Sequence, residues 1–127
     1  MADTASAPLA GRRLLLVEDD YMIAADMAWG LEQAGAEVVG PSGSIRDALR
    51  LLQSHAERLD GAVLDINLRE EPVFPVADAL ASRRIPFIFK TGYDATAVPE
   101  IYSSVRRFEK PVDHRLLIDA LCKSFGR

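Results

Sequence analysis

Short apolar runs alternate with helix-period segments along this 127-residue chain, and that alternation limits its fold more than any other feature. Arg13–Val17 is an apolar run closed by three acids and reads as a strand. Tyr21–Ala34 carries Met22, Ile23, Ala25, Met27, Leu31 and Ala34 at three- and four-residue spacing, which predicts a helix stopped by Gly35. Glu37–Gly40 is a brief strand closed by Pro41-Ser42-Gly43, after which Ser44 can cap a helix with Ile45, Ala48, Leu49 and Leu52 on its face. Gly61–Leu64 is a third strand ending at Asp65, and Val76–Ser82 a third helix behind a loop broken by Pro72 and Pro75. Pro86–Phe89 and the weaker Val105–Phe108 complete the strands, and Leu116–Phe125 is the last helix, with Asp113 as its cap. Asp94–Ser104 is the least regular stretch, because Pro99 limits any helix there to a turn or two.

Strands alternating with helices predict a parallel sheet covered on both faces, and right-handed crossovers leave few ways to assemble it. The expectation is an α/β, flavodoxin-like (βα)5 doubly wound sheet of strand order 2-1-3-4-5, with a short or irregular fourth helix. One domain fits this length: residues 1–11 read as a flexible tail and 12–127 as the folded unit. Cys122 is the only cysteine, so neither an intrachain disulfide nor a cysteine-based zinc site is available. A formal charge of −4 without a basic run gives no electrostatic reason for direct nucleic-acid binding. No apolar stretch approaches the roughly 20 residues needed to span a bilayer, and residues 1–11 read as a tail and not as a signal peptide.

In such a sheet, ligands bind beyond the carboxyl ends of the strands, at the point where strand order reverses. Glu18-Asp19-Asp20 follow strand one, Asp65 ends strand three, Thr91 ends strand four and Lys110 follows strand five. Carboxylates gathered so closely repel one another unless a cation or a proton joins them, and a hydrated site of hard oxygens suits Mg²⁺. An aspartate, a metal, a lysine and a hydroxyl together are what phosphoryl transfer requires, since positioning and charge neutralisation dominate that chemistry. Taken singly, each element has a plainer reading. Asp20 serves as a helix cap in any case, Asp65 alone would be a turn residue, Lys110 alone a solvated lysine, and Thr91-Gly92 a turn. Their joint placement at four strand ends is what points to chemistry. His55 and His114 fall on helix positions read as exposed, and Phe74, Phe87, Phe89 and Phe125 read as packing residues.

Together these residues resemble the response-regulator receiver family. Leu14-Leu15-Leu16-Val17-Glu18-Asp19-Asp20 looks like its acidic pocket, Val63-Leu64-Asp65-Ile66-Asn67-Leu68 like its phosphoacceptor strand, and Glu109-Lys110-Pro111 like its lysine–proline signature. The resemblance implies Asp65 as phosphoacceptor. It implies an Mg²⁺ held by Asp19 and Asp65, by Glu18 through water, and by the Asn67 backbone carbonyl. Thr91 and Lys110 would bind the phosphoryl group, and the Lys110–Pro111 bond is a candidate cis peptide. Pro86-Phe87-Ile88-Phe89-Lys90-Thr91-Gly92-Tyr93 and Pro75-Val76-Ala77-Asp78-Ala79-Leu80 are further similar to the receivers nicknamed FAT GUY, common in alphaproteobacteria. The implied donor is a sensor histidine kinase of the HWE type, and the implied location is cytoplasmic. Two positions depart from the pattern: Lys90 replaces a small residue, and Arg107 stands where many receivers carry a switch aromatic. Tyr93 is then the candidate for the moving ring.

The reading is of a phosphoacceptor signalling domain and not an enzyme acting on a small-molecule substrate. A phosphatase using Asp65 as haloacid-dehalogenase-like proteins do would need a second acid two residues on, where this chain has Asn67. A nucleotide-binding module would need a glycine-rich phosphate loop, which is missing. A receiver-shaped adaptor that signals without phosphate is the remaining alternative. The signal is expected to leave by protein contact, or the chain to drain phosphate from a shared kinase.

Overall fold

Period-two alternation in the central strands sends successive side chains to opposite faces, and two separate cores result. A computed structural model describes residues 7–69, 71–92 and 98–125. The strands are β1 (Arg13–Val17), β2 (Glu37–Ser42), β3 (Gly61–Asp65), β4 (Asn67–Leu68), β5 (Glu71–Pro72), β6 (Phe87–Thr91) and β7 (Arg107–Glu109). The helices are α1 (Tyr21–Gln33), α2 (Ile45–His55), α3 (Phe74–Ser82) and α4 (His114–Phe125). Five strands form a parallel sheet in the order β2-β1-β3-β6-β7, and β4 and β5 form a separate antiparallel ribbon. With the ribbon set aside, the order is the expected 2-1-3-4-5.

Leu15, Val17, Ala62, Leu64 and Phe89 face α2 and α3, where they meet Leu52, Val76 and Leu80. Leu14, Leu16, Val63 and Ile88 face α1 and α4, where they meet Met27, Leu31, Leu117 and Leu121. Each fully buried Leu or Ile contributes about 1.5–3 kcal/mol, so the paired cores hold the sheet edges in fixed register. Helix starts follow local chemistry. The Asp20 carboxylate accepts from the Ile23 N–H at 3.0 Å, and the Ser44 hydroxyl accepts from the Asp47 N–H at 3.1 Å. Among the described residues, no helix is long and apolar enough to cross a membrane.

Several boundaries differ from the sequence reading. Strand β2 does not close at Gly40 but runs through Pro41 to Ser42, with a register shift opposite Leu15–Val17. Pro41 is tolerated because β2 lies at the sheet edge. Gly40 has φ +103, and a Cβ there would lie 2.8 Å from the Leu16 carbonyl oxygen, so the extension depends on glycine. Both Gly40–Pro41 and Lys110–Pro111 are cis. The loop before α3 contains the β4–β5 ribbon, and α3 starts at Phe74, with Pro75 in the first turn where its missing N–H does no harm. Strand β7 starts at Arg107 and α4 at His114, each two residues from expectation.

Residues 7–11, read as part of a flexible tail, are docked. Leu9 is fully buried in the α1–α4 core, its N–H donating to the Ala34 carbonyl at 2.8 Å. After β6, the described residues resume at Val98, and Pro99 precedes a single 3-10 turn at Glu100–Tyr102. The expected irregular fourth helix is therefore one turn over the residues described. Tyr93, the candidate switch aromatic, lies outside the described residues, as do residues 94–97 of the Asp94–Ser104 segment.

Candidate functional site

The register of two neighbouring strands brings the acids together. β1 ends at Val17, which pairs with Leu64 of β3, so Glu18 and Asp19 emerge beside Asp65. One carboxylate oxygen each from Glu18, Asp19 and Asp65 lies within 4.8 Å of the other two. Glu18 and Asp65 are 2% and 3% exposed, while Asp19 sits at the mouth. Asp20 is turned away, capping α1. The three oxygens are hard, anionic and close enough to share one cation. The donor set therefore fits Mg²⁺, which favours carboxylates and retains water in its shell.

From the other side, β6 and the residue after β7 bring two ammonium groups. Lys110 Nζ donates to Asp65 Oδ2 at 2.8 Å and lies 3.4 Å from Glu18 Oε1. Lys90 is completely buried, and its Nζ donates to Glu18 Oε1 at 2.7 Å. The other Glu18 oxygen accepts the Asp20 N–H at 3.0 Å. Asp65 Oδ1 accepts the Asn67 N–H at 3.3 Å, which folds the backbone after β3 over the carboxylate. Thr91 is nearly buried at the end of β6, its hydroxyl donating to the Gly92 carbonyl at 3.2 Å. At the rim, Arg69 adopts φ 56 and places Nε 3.7 Å from Asp19 Oδ2.

These contacts move the carboxyl groups in opposite directions. Burial pushes Asp65 up; the Lys110 hydrogen bond opposes it and the Glu18 charge adds to it, leaving Asp65 at about 6. Burial also pushes Glu18 up, but the charge and hydrogen bond of Lys90, joined by the Asp20 N–H, outweigh it and hold Glu18 below its usual value. Burial pulls Lys110 down, yet hydrogen bonding and charge from Asp65 carry it above the ordinary lysine value. The resting pocket is thus a chain of alternating charge running from Lys90 through Glu18 and Lys110 to Asp65.

The structure brings Glu18, Asp19, Asp65, Thr91 and Lys110 together and gives Asn67 a place beside them. It adds two residues that the sequence reading left out of the pocket, Lys90 and Arg69. The signal for Lys90 was legible: a lysine inside an apolar strand, at an inward position, requires an anion at equal depth. The histidines are half-buried and not exposed. His114 packs on Gly30 of α1 with Nε2 3.4 Å from Asp26 Oδ2, beside an apolar groove of about 450 Å³ that reaches the Lys90 stem.

No family model matches the chain. The transcriptional regulatory protein PdtaR of Mycobacterium tuberculosis is 31% identical over 83 residues, covering 65% of this chain. The chain spans 40% of that protein's length. SdrG from Sphingomonas melonis Fr1 is similar along its whole length, with 33% identity, a TM-score of 0.79, and coverage of 91% of this chain and 97% of that one. The BeF3-activated conformation of SdrG, from Pseudomonas melonis Fr1, aligns at 32% identity with a TM-score of 0.72, covering 92% and 98%. A response regulator receiver protein from Sinorhizobium medicae WSM419 aligns at 27% identity with a TM-score of 0.76, covering 92% and 96%. With the strand order, the pocket at its switch point and these full-length likenesses in agreement, the chain belongs to the response-regulator receiver family of two-component signalling.

Proposed function

We propose that this receiver accepts a phosphoryl group on Asp65 from the phosphohistidine of a sensor histidine kinase. The observation that carries the reading is the position of Asp65: it ends the central strand, bonds Lys110 at 2.8 Å and shares a cluster of carboxylate oxygens with Glu18 and Asp19. In the transfer, an Asp65 carboxylate oxygen forms a bond to phosphorus as the histidine N–P bond breaks. The nitrogen keeps the electron pair of that bond. Asp65 must be ionised to attack, and Lys110 keeps a cation beside the oxygen as charge builds on the phosphoryl group. Thr91, at the end of β6, would donate its hydroxyl to a phosphoryl oxygen in place of Gly92.

Glu18, Asp19, Asp65 and the Asn67 backbone carbonyl would hold Mg²⁺. When bound, the ion supplies neutralising charge to the phosphoryl oxygens. An SdrG conformation activated by BeF3 supports the same chemistry in a full-length relative. The finer assignments follow the sequence: the FAT GUY subgroup from the run ending in Thr91-Gly92-Tyr93, and with it an HWE-type kinase as donor, a cytoplasmic setting, and an output by protein contact or as a phosphate sink. The folded unit would be 12–127, extended by the docked residues 7–11. Tyr93 would supply the aromatic ring that Arg107, exposed at the start of β7, does not.

The test is direct. The full chain is incubated with a small acyl phosphate and Mg²⁺, and its intact mass is measured. One phosphoryl group should add, and Asp65→Asn should take none. No addition to the wild type, or persistence in Asp65→Asn, overturns the assignment.

A further inference from the structure

Lys90 has no role in the transfer just described, yet it is fully buried, its side chain at 0% exposure against a Glu18 side chain also at 0%. Among the described residues, Glu18 is the hydrogen-bond and ion-pair partner of its ammonium group. Strand alternation explains how it arrives there. β6 sends Phe89 toward α3 and Lys90 to the opposite face with Ile88, where the lysine stem runs along the groove lined by Met22, Ile23 and Met27. An ammonium group at this depth is stable only while paired, because desolvating an unpaired charge costs several kcal/mol. Glu18 is equally committed. Without Lys90 the partners left to its carboxylate among the described residues include the Asp20 N–H at 3.0 Å and Lys110 at 3.4 Å, and Lys110 is already engaged by Asp65.

Any divalent cation entering among Glu18, Asp19 and Asp65 therefore meets a pocket in which two of three negative charges are already answered by Lys90 and Lys110. Lys110 has a flexible stem and a quarter of its side chain in solvent, so it can swing with its load. Lys90 cannot, since its whole length is enclosed. We propose that Lys90 is a resident cation of the acidic pocket, holding Glu18 as an oriented anion and setting the pocket's affinity for Mg²⁺ low. It is a positioning residue: it touches Glu18 and not the reacting atoms. This inference rests on the metal-site reading above, and its experiment separates the two.

Mg²⁺ is titrated into the metal-free full chain, with affinity read from the backbone amide shifts of Asp19 and Asp65 and thermal stability followed in parallel. Lys90→Met removes the charge and keeps the bulk; Lys90→Gln removes the charge and keeps a donor for Glu18. Both variants should bind Mg²⁺ at least tenfold more tightly than the wild type. Both should melt lower without metal, and gain more from saturating Mg²⁺ than the wild type gains. A variant unfolded without metal that folds at Mg²⁺ levels that add nothing to the wild type supports the proposal equally. Unchanged or weaker affinity in both variants overturns it, as does a loss of fold that Mg²⁺ does not restore, or the absence of Mg²⁺ binding in every form. If the variants bind more tightly while the wild type takes no phosphoryl group, the phosphoacceptor reading fails and the role of Lys90 stands.

Discussion

Phe89 and Lys90 are neighbours in one strand, both completely buried, and they belong to two regions held together by different physics. On the α3 side, Phe89 meets Phe74, Phe87 and Tyr102 with ring centroids 5.5–6.2 Å apart, each edge to face. Each such pair is worth about 0.5–1.5 kcal/mol beyond the area it buries. That packing is made by rings and involves none of the pocket's charged groups. On the α1 side, Lys90, Glu18, Lys110 and Asp65 form a chain in which each charge is paired with an opposite charge beside it, helped by the Asp20 N–H on Glu18 and the Asn67 N–H on Asp65. Buried ion pairs of this kind contribute little net stability, but breaking one partner out is expensive. At Phe89 the strand thus stores stability, and at Lys90 it couples stability to what occupies the crevice.

The comparison breaks most visibly at Asp19. Asp19→Ala should abolish Mg²⁺-dependent phosphorylation, a loss of orders of magnitude in rate, with the fold intact. Its one ion pair among the described residues, to the largely exposed Arg69 at 3.7 Å, is worth about 0–1 kcal/mol, and relief of repulsion from Glu18 and Asp65 offsets that loss. Intact-mass kinetics and a melting curve check both halves. Normal phosphorylation, or a collapsed fold, would show that the two regions are not separable in this way.

The converse substitution is Phe89→Ala, expected to destabilise by about 3–5 kcal/mol because a central ring leaves a cavity between β6 and α3. Chemical denaturation measures it. Mg²⁺ affinity of the fraction still folded should stay within about twofold of wild type, since Phe89 packs into the core under α2 and α3. A loss below about 1 kcal/mol would place the stability elsewhere.

Acidity separates the regions next. In the metal-free chain Asp65 is raised from 3.8 to about 6, first by burial. A group bound more tightly to its proton in the folded state contributes stability that is full below its unfolded value and is lost as pH rises through its folded value. Melting temperature should therefore fall as pH climbs from about 4.5 to about 7, the part of the range clear of the opposite contribution from Glu18. Asp65→Asn should flatten this slope. Lys110→Ala should carry it to higher pH, because the hydrogen bond that lowers Asp65 is gone. Equal slopes in wild type and Asp65→Asn would mean that burial of this carboxylate does not shape stability.

Which parts were legible in the sequence follows the same division. The acids, Thr91 and Lys110 could be placed because a parallel sheet collects all its strand ends on one edge, so position along the chain translates directly into position in the crevice. Lys90 could be seen to need a buried anion, but its partner could not be named, since pairing at depth depends on which strand lies opposite and how far in Glu18 turns. Pro41 misled because proline ends most strands, and only the edge position of β2 rescues it. The β4–β5 ribbon has two residues a side, too few for any periodicity to register. Leu9 is one apolar residue in a weakly patterned stretch, and its burial against α1 and α4 comes from tertiary packing alone.

Tyr102 is where the stable region borders the segment after β6, and it gives the smallest and sharpest test. Pro99 announced a turn, but nothing in the sequence said that the ring of Tyr102 would point inward. It stacks on Phe74 with its hydroxyl bonded to the Asp78 carboxylate of α3. Burial first, then the hydrogen bond and charge of Asp78, push the phenol up to about 12. Tyr102→Phe should cost only about 1 kcal/mol, because the ring stays packed and Asp78, exposed at the rim, regains water when the bond is lost. Ultraviolet titration of the folded chain should show one phenol ionising well above the free-tyrosine value of about 10, and that step should vanish in Tyr102→Phe. Asp78→Asn should bring the same step down while leaving the burial part of the shift in place. If Tyr102 ionises with the free value, its hydroxyl is open to solvent. The boundary between the two regions then lies deeper, at Phe87 and Phe89.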